Sequence, residues 1–156
     1  KKIYNGEKIA DIFIKSKKNL SSINCPSKIN SAAIDEFLII FLVAAKAKGI
    51  SRFRDLGEMN KKESKRLDLA TKFLKLIGIK VVRFKNNINI HGNPNLILKD
   101  NYEIKNFLKD HRIFFLSCIT ALTLGGKWKI HDMDSMNTSF PNFLKKLEMV
   151  GAKIKC

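Results

Sequence analysis

Asn60-Lys61-Lys62-Glu63-Ser64-Lys65-Arg66 runs straight into Leu67-Asp68-Leu69-Ala70-Thr71-Lys72-Phe73-Leu74-Lys75-Leu76-Ile77, and Gly78 follows. Leu67, Ala70, Phe73, Leu74 and Ile77 recur every three or four residues, whereas Lys65, Asp68, Lys72 and Lys75 fall away from that face. This is the period of an amphipathic helix, and Gly78 supplies its C-terminal stop. The polar run ahead of it reads as the helix start, with Lys62 and Glu63 in the first turn and Arg66 three residues beyond Glu63, within side-chain reach. Such a start carries unpaired backbone N–H groups and the positive end of the helix dipole, and can hold an anion. It reads equally well as a solvated helix end with an exposed Glu63–Arg66 pair. The rest of the chain has to decide between the two.

Outward from this helix the pattern alternates. Upstream, Ile50–Asp55 reads as a strand with a possible bulge, ended by Gly57. Before it, Glu36–Lys48 is apolar almost all round, as a buried helix is, with Asp35 as N-cap and Gly49 as stop. Ala10–Lys15 reads as a strand, and Leu20–Cys25 as a weaker one ended by Pro26. Downstream, Lys80–Phe84 and Ile88–His91 form a hairpin across Lys85-Asn86-Asn87. Strand, helix, strand, helix, strand, strand points to an α/β fold.

The second half repeats the theme without repeating the sequence. Asn93-Pro94-Asn95 marks a loop, Tyr102–Phe107 a strand, and Asp110 an N-cap for a helix that reaches Leu124 before Gly125-Gly126. Trp128–Ile130 is a short strand. Asn137-Thr138-Ser139-Phe140-Pro141 has the chemistry of a helix start, Phe143–Val150 is its helix, and Ala152–Lys155 closes the chain as a strand.

Composition narrows the function classes. The 156 residues are 45% hydrophobic with a formal net charge of +16, which suits a globular domain attracted to anionic partners. Of the 30 basic residues only Arg52, Arg54, Arg66, Arg83 and Arg112 are arginine, and the lysines are spread along the whole chain. Diffuse lysine argues against a dedicated nucleic-acid surface. The longest apolar run, Phe37–Ala45, is too short to span a bilayer, and the polar start carries no signal peptide. Cys25, Cys118 and Cys156 are widely spaced, without a Cys-x-x-Cys pair or a histidine at ligand spacing. They read as inert thiols in a reducing cytoplasm, with no metal site. The absence of an initial methionine suggests a piece of something longer.

The unusual polar residues gather at helix starts: Asp35, then Lys62-Glu63 with Arg66, then Asp110-His111-Arg112, then Thr138-Ser139. If these starts share one cleft, its ligand is small and multiply anionic. Arg66 and Arg112 suit bidentate contacts to phosphate or carboxylate, and Asp35, Lys62, Glu63 and His111 can move protons. Taken singly, Asp35 and Asp110 are simple caps and His111 a cap neighbour. His91 and His131 fall in strand or loop positions where the sequence names no partner for them, and Met133 and Met136 read as core.

Taken together, five groups of residues resemble the 5-enolpyruvylshikimate-3-phosphate synthase (3-phosphoshikimate 1-carboxyvinyltransferase) family. They are Asn5-Gly6-Glu7 with Ala10-Asp11; Ile34-Asp35-Glu36-Phe37; Lys62-Glu63-Ser64 with Arg66; Asp110-His111-Arg112-Ile113; and Thr138-Ser139-Phe140-Pro141 followed by Gly151-Ala152-Lys153-Ile154. They occur in the family's order over essentially the whole chain. The resemblance implies repeated βαβαββ units of the inside-out α/β fold of enolpyruvyl transferases. This chain would be part of the second domain, with one unit over about 27–92 and another over about 93–156 plus strand 10–15, the N-terminal domain being absent.

The resemblance also implies transfer of the enolpyruvyl group of phosphoenolpyruvate to the 5-hydroxyl of shikimate 3-phosphate, without cofactor or metal. Asp35 matches a residue that contacts the acceptor hydroxyls, Lys62 and Glu63 the proton-transfer pair, and Arg66 and Arg112 the arginines that hold phosphoenolpyruvate. His111 matches the histidine beside them. Lys65, Leu38 and Asn60 depart from the family's usual aspartate, proline and arginine. The isolated chain is expected to be inactive, with half its cleft missing. The competing readings are a UDP-N-acetylglucosamine enolpyruvyl transferase fragment, a basic nucleic-acid-binding module, and a degenerate fragment without activity.

Overall fold

The computed structural model describes residues 2–17 and 19–155. Cys156, counted above among the inert thiols, lies outside them. The chain opens with a hairpin of β1 (Lys2–Tyr4) and β2 (Glu7–Ile9), turned at Asn5 and Gly6, both at positive φ. The strand expected over residues 10–15 is not formed. Ile12, Phe13 and Ile14 are 85–90% exposed, because no neighbouring strand or apolar face meets them.

Residues 21–24 form an edge beside the following strand, bridging Ser21 to Lys48 and Asn24 to Arg52 in parallel. Helix α1 (Phe37–Lys46) buries Phe37, Leu38, Phe41, Leu42, Ala44 and Ala45, as its nearly continuous apolar sequence demands. Leu38 sits in the first turn, where the family's proline would also be tolerated, and packs into the core at 2% exposure. Next come β3 (Gly49–Phe53), a 3-10 turn over Gly57–Lys61, and α2 (Arg66–Leu76). The hairpin β4 (Lys80–Phe84) and β5 (Asn87–Gly92) completes the first unit with a two-residue turn at Lys85 and Asn86.

The three strands lie in the order β3-β5-β4, all antiparallel. The bulge considered for β3 is absent from its pairing with β5, which runs unbroken from Gly49 opposite Gly92 to Phe53 opposite Ile88. Plain alternation suffices, since Ser51 and Phe53, rather than Ile50, face inward. The buried Ser51 hydroxyl accepts from the Ile23 N–H at 3.3 Å and so ties in the edge segment. Gly92 lets α1 approach closely, because a Cβ there would overlap the Ala47 carbonyl oxygen.

The second half is a strand-helix-strand crossover. β6 (Leu98–Ile104) and β7 (Gly125–Ile130) pair in parallel around α3 (His111–Leu124). β6 begins and ends earlier than the expected Tyr102–Phe107, and Phe107 enters the core from the loop beyond it. Trp128 stacks on Tyr102 with ring centroids 4.6 Å apart and on Phe73 of α2 at 6.0 Å, joining the two halves. After a 3-10 turn over Met133–Thr138 comes α4 (Phe143–Met149). Its cap position is Asn142, so Thr138 and Ser139 do not start it; the turn before it uses them up. The terminal strand expected at Ala152–Lys155 is likewise missing: the segment pairs with no strand, although Ile154 packs against the core. Phe37, Phe41 and Phe53 cluster at the centre with centroids 4.9–6.0 Å apart. No helix among the described residues is long and apolar enough to cross a membrane.

Candidate active site

The stretch before α2 folds differently from its sequence pattern. The α-helix starts at Arg66, and residues 62–65 form a non-helical link after the 3-10 turn. Lys65, at the cap position, offers no side-chain acceptor to the first turn. Asn60 takes that role from a distance: its Oδ1 accepts from Leu67 N at 3.0 Å and Asp68 N at 3.4 Å, while its Nδ2 donates to Asp68 Oδ1 at 3.0 Å. A residue that departs from the family's usual arginine thus serves as the helix cap.

This capping removes the anion site expected from free helix amides. Arg66 N donates to Ser64 O at 2.8 Å, so the first amides of α2 all have acceptors within the chain. At α3, Asp110 caps as expected, its Oδ1 accepting from Arg112 N at 3.0 Å and its carbonyl from Ile113 and Phe114. The cationic groups at these helix starts are side chains, Lys62 and Arg112 among them.

Those side chains converge on Arg66. Its Nε donates to Asp110 Oδ2 at 2.8 Å, one Nη to Asp35 Oδ1 at 2.8 Å, and the other Nη to Glu63 Oε2. Ser64 Oγ donates to the same Asp110 oxygen at 2.7 Å. Asp35, expected as an N-cap, caps nothing: the cap position of α1 is Glu36, which leaves the Asp35 carboxylate to cations. Lys62 Nζ lies 3.6 Å from it, Arg112 reaches its Oδ2 at 3.5 Å, and Arg112 also donates to the Asp35 carbonyl at 2.8 Å. Lys65 is exposed and pairs with none of these groups, so its cation does not disturb Arg66, which has three carboxylate partners without the missing aspartate.

The cluster has a buried side and an open one. The side chains of Arg66 and Asp110 are 2% and 0% exposed, whereas those of Asp35, Lys62, Arg112 and Glu63 are 34%, 33%, 32% and 58% exposed. Burial by itself would raise the Asp110 carboxyl, but hydrogen bonds from Arg66 and Ser64 outweigh it and hold the group below the usual carboxylate range. Burial pulls the Arg66 guanidinium down, and Asp110, Glu63 and Asp35 more than restore it. The result is a buried ion pair at the base and partly exposed charges above it.

Five of the six sequence candidates meet here: Asp35, Lys62, Glu63, Arg66 and Arg112. His111 does not join them; its ring lies edge-on to Phe115 at 5.8 Å and has no hydrogen bond or ion pair among the described residues. Asp110 and Ser64 are members that local reading left out. Their signal was adjacency to the charged residues of the same motifs, although a cap explains Asp110 and nothing local explains a buried serine. Beside Lys62, an open groove of about 670 Å³ is lined by Ser27, Lys28, Asn30, Ser31, Ile34, Asp55 and Glu58. No group of three or more His, Cys, Asp or Glu side chains among the described residues is arranged to hold a metal ion. Cys118 is buried, and desolvation pushes its thiol up to about 12, so it is inert toward this chemistry.

A family model described as EPSP synthase (3-phosphoshikimate 1-carboxyvinyltransferase) matches residues 5–147. The 3-phosphoshikimate 1-carboxyvinyltransferase of Thermodesulfovibrio yellowstonii is 36% identical over 145 residues, covering 93% of this chain and 33% of that protein. The one from Ruthia magnifica is 34% identical over 153 residues, covering 96% of this chain and 33% of its own length. This chain thus spans about a third of the curated relatives it matches. Among solved structures, EPSP synthase from Acinetobacter baumannii superposes with a TM-score of 0.75 at 26% identity, over 88% of this chain and 31% of that one. The enolpyruvyl transferase NikO from Streptomyces tendae, at 15% identity and a TM-score of 0.55, shares the fold. By the match of its family model to nearly the whole sequence, the chain belongs to the EPSP synthase family.

Proposed function

We propose that this chain forms one wall of an active site that transfers the enolpyruvyl group of phosphoenolpyruvate to the 5-hydroxyl of shikimate 3-phosphate, with release of phosphate. The observation that carries this reading is the meeting of Asp35, Lys62-Glu63, Arg66 and Arg112, from three separate segments, around one guanidinium. The reaction needs a base for the attacking hydroxyl, an acid for the methylene carbon, and cations for two anionic substrates. Asp35 would accept the hydroxyl proton, and Lys62 and Glu63 would move the proton to and from the enolpyruvyl carbon. Arg66 and Arg112 would hold phosphoenolpyruvate. The setting in this reading is cytoplasmic.

The opposite wall would come from a first domain outside this chain, in keeping with the third of the relatives' length that the chain spans. With one wall absent, the substrates are not held together and the entropic advantage of proximity is lost. Phosphate release with both substrates is the test. It is expected from this chain joined to the N-terminal two thirds of the Thermodesulfovibrio yellowstonii relative, and not from the 156-residue chain alone. A folded fusion that binds both substrates and releases no phosphate would refute the reading; clear turnover by the chain alone would refute the need for a second wall.

A further inference from the structure

We propose that Glu63 is an internal stand-in for the ligand's anionic group, and that a ligand reaches Arg66 by exchanging with Glu63 while Asp110 keeps its hold on Nε. The inference rests on the reading of this cluster as an anion site. Arg66 is 2% exposed, yet what covers it differs from side to side. Nε faces the fully buried Asp110, and the two Nη groups face Asp35 and Glu63, whose side chains are 34% and 58% exposed. The carboxylates that meet its two Nη groups are the partly exposed ones.

The geometry favours exchange over permanent closure. Each Arg66 nitrogen goes to a different carboxylate, so no partner makes the two-pronged contact that a guanidinium offers along one edge. A ligand carboxylate or phosphoryl group can present both oxygens to that edge at once. Glu63 stands on the non-helical link, so its withdrawal breaks no helical hydrogen bond. Its neighbour Ser64 is pinned to Asp110, which makes the backbone there a pivot with one fixed end. Half-exposed ion pairs are weakly held, whereas a fully buried pair resists loss of a partner. Ligand entry would therefore strip Glu63 first and release its carboxylate beside the newly bound ligand.

The test is a calorimetric titration of the 156-residue chain, its Glu63→Gln variant and a charge control, Glu148→Gln, with phosphoenolpyruvate and separately with inorganic phosphate. Glu148 is exposed on α4 and makes no ion pair among the described residues, so it reports the effect of one lost negative charge at a distance. Glu63→Gln is expected to bind phosphoenolpyruvate about 2- to 5-fold more tightly than the unaltered chain, the scale of one exposed pair removed from competition. Glu148→Gln should change it far less. The Arg66 Nε–H resonance should keep its position on binding while its Nη signals move. Equal affinities for Glu63→Gln and Glu148→Gln would overturn the exchange and leave the substrate reading intact. Tightening for phosphate with none for phosphoenolpyruvate would uphold the exchange and count against that reading. Absence of binding by every chain would overturn the exchange at this wall, and phosphate release by the fusion would still decide the substrate reading.

Discussion

Replacing Asp110 by Asn tests whether the buried base of the cluster carries stability. The substitution keeps a competent N-cap for Arg112 N, because Asn and Asp cap helices about equally well, and so isolates the lost charge. It leaves the Arg66 guanidinium, 2% exposed, without the partner that holds Nε at 2.8 Å, and turns the Ser64 hydroxyl toward a neutral acceptor. Removing one member of a buried ion pair costs about 3–5 kcal/mol, and because Asp35 and Glu63 stay on Arg66 the lower end, about 3 kcal/mol, is expected. Against a total of about 5–15 kcal/mol that is a large fraction. Urea unfolding of the two chains measures it; with a slope of about 2 kcal/mol per molar, the midpoint should fall by about 1.5 M. The loss should also vanish in acid. The folded Asp110 carboxyl lies below its unfolded value of about 3.9, so its contribution is complete above about pH 5. It drains away as the pH falls through the unfolded value toward the lowered folded one. A loss below about 1 kcal/mol at neutral pH, the scale of a surface pair, would refute the assignment of Asp110 and Arg66 as a buried anchor.

Two further substitutions probe the departures from the family pattern. Asn60→Ala removes the acceptor for Leu67 N and Asp68 N and should destabilise the chain by about 1 kcal/mol, read as a lower urea midpoint; no change would mean that Asn60 is not the cap of α2. Lys65→Asp restores the family's residue and replaces a cation by an anion at the positive end of α2, whose amides Asn60 already caps, and should stabilise the chain by about 0.3–1 kcal/mol, read as a higher urea midpoint. A fall instead would show that Lys65 makes a contribution that its exposed position does not reveal.

Local chemistry was readable in the sequence wherever the deciding partners are close along the chain. The inward face of α2 is set by apolar spacing, the β4–β5 hairpin by two short strands around a polar turn, and the start of α3 by a cap two residues from the amide it serves. The order of the charged motifs was equally plain, and five of the six residues it singled out, Asp35, Lys62, Glu63, Arg66 and Arg112, meet in the fold. Strands were the weaker part. Residues 10–15 and 152–155 have strand-like composition, but a strand exists only when a neighbour supplies its hydrogen bonds, and that neighbour is not a property of the segment itself.

The site divides in the same way. The sequence by itself determined which charged residues would be near helix starts, because caps and helical periods act over three or four residues. Only the tertiary structure decided what those residues do there. Arg66 meets Asp35 across 31 positions and Asp110 across 44, so neither its burial nor the release of Asp35 from capping could be read locally. The physical reason is burial. A guanidinium removed from water must gather carboxylates wherever the fold brings them, and that demand turned an apparent solvated helix start into the anchored centre of the cluster.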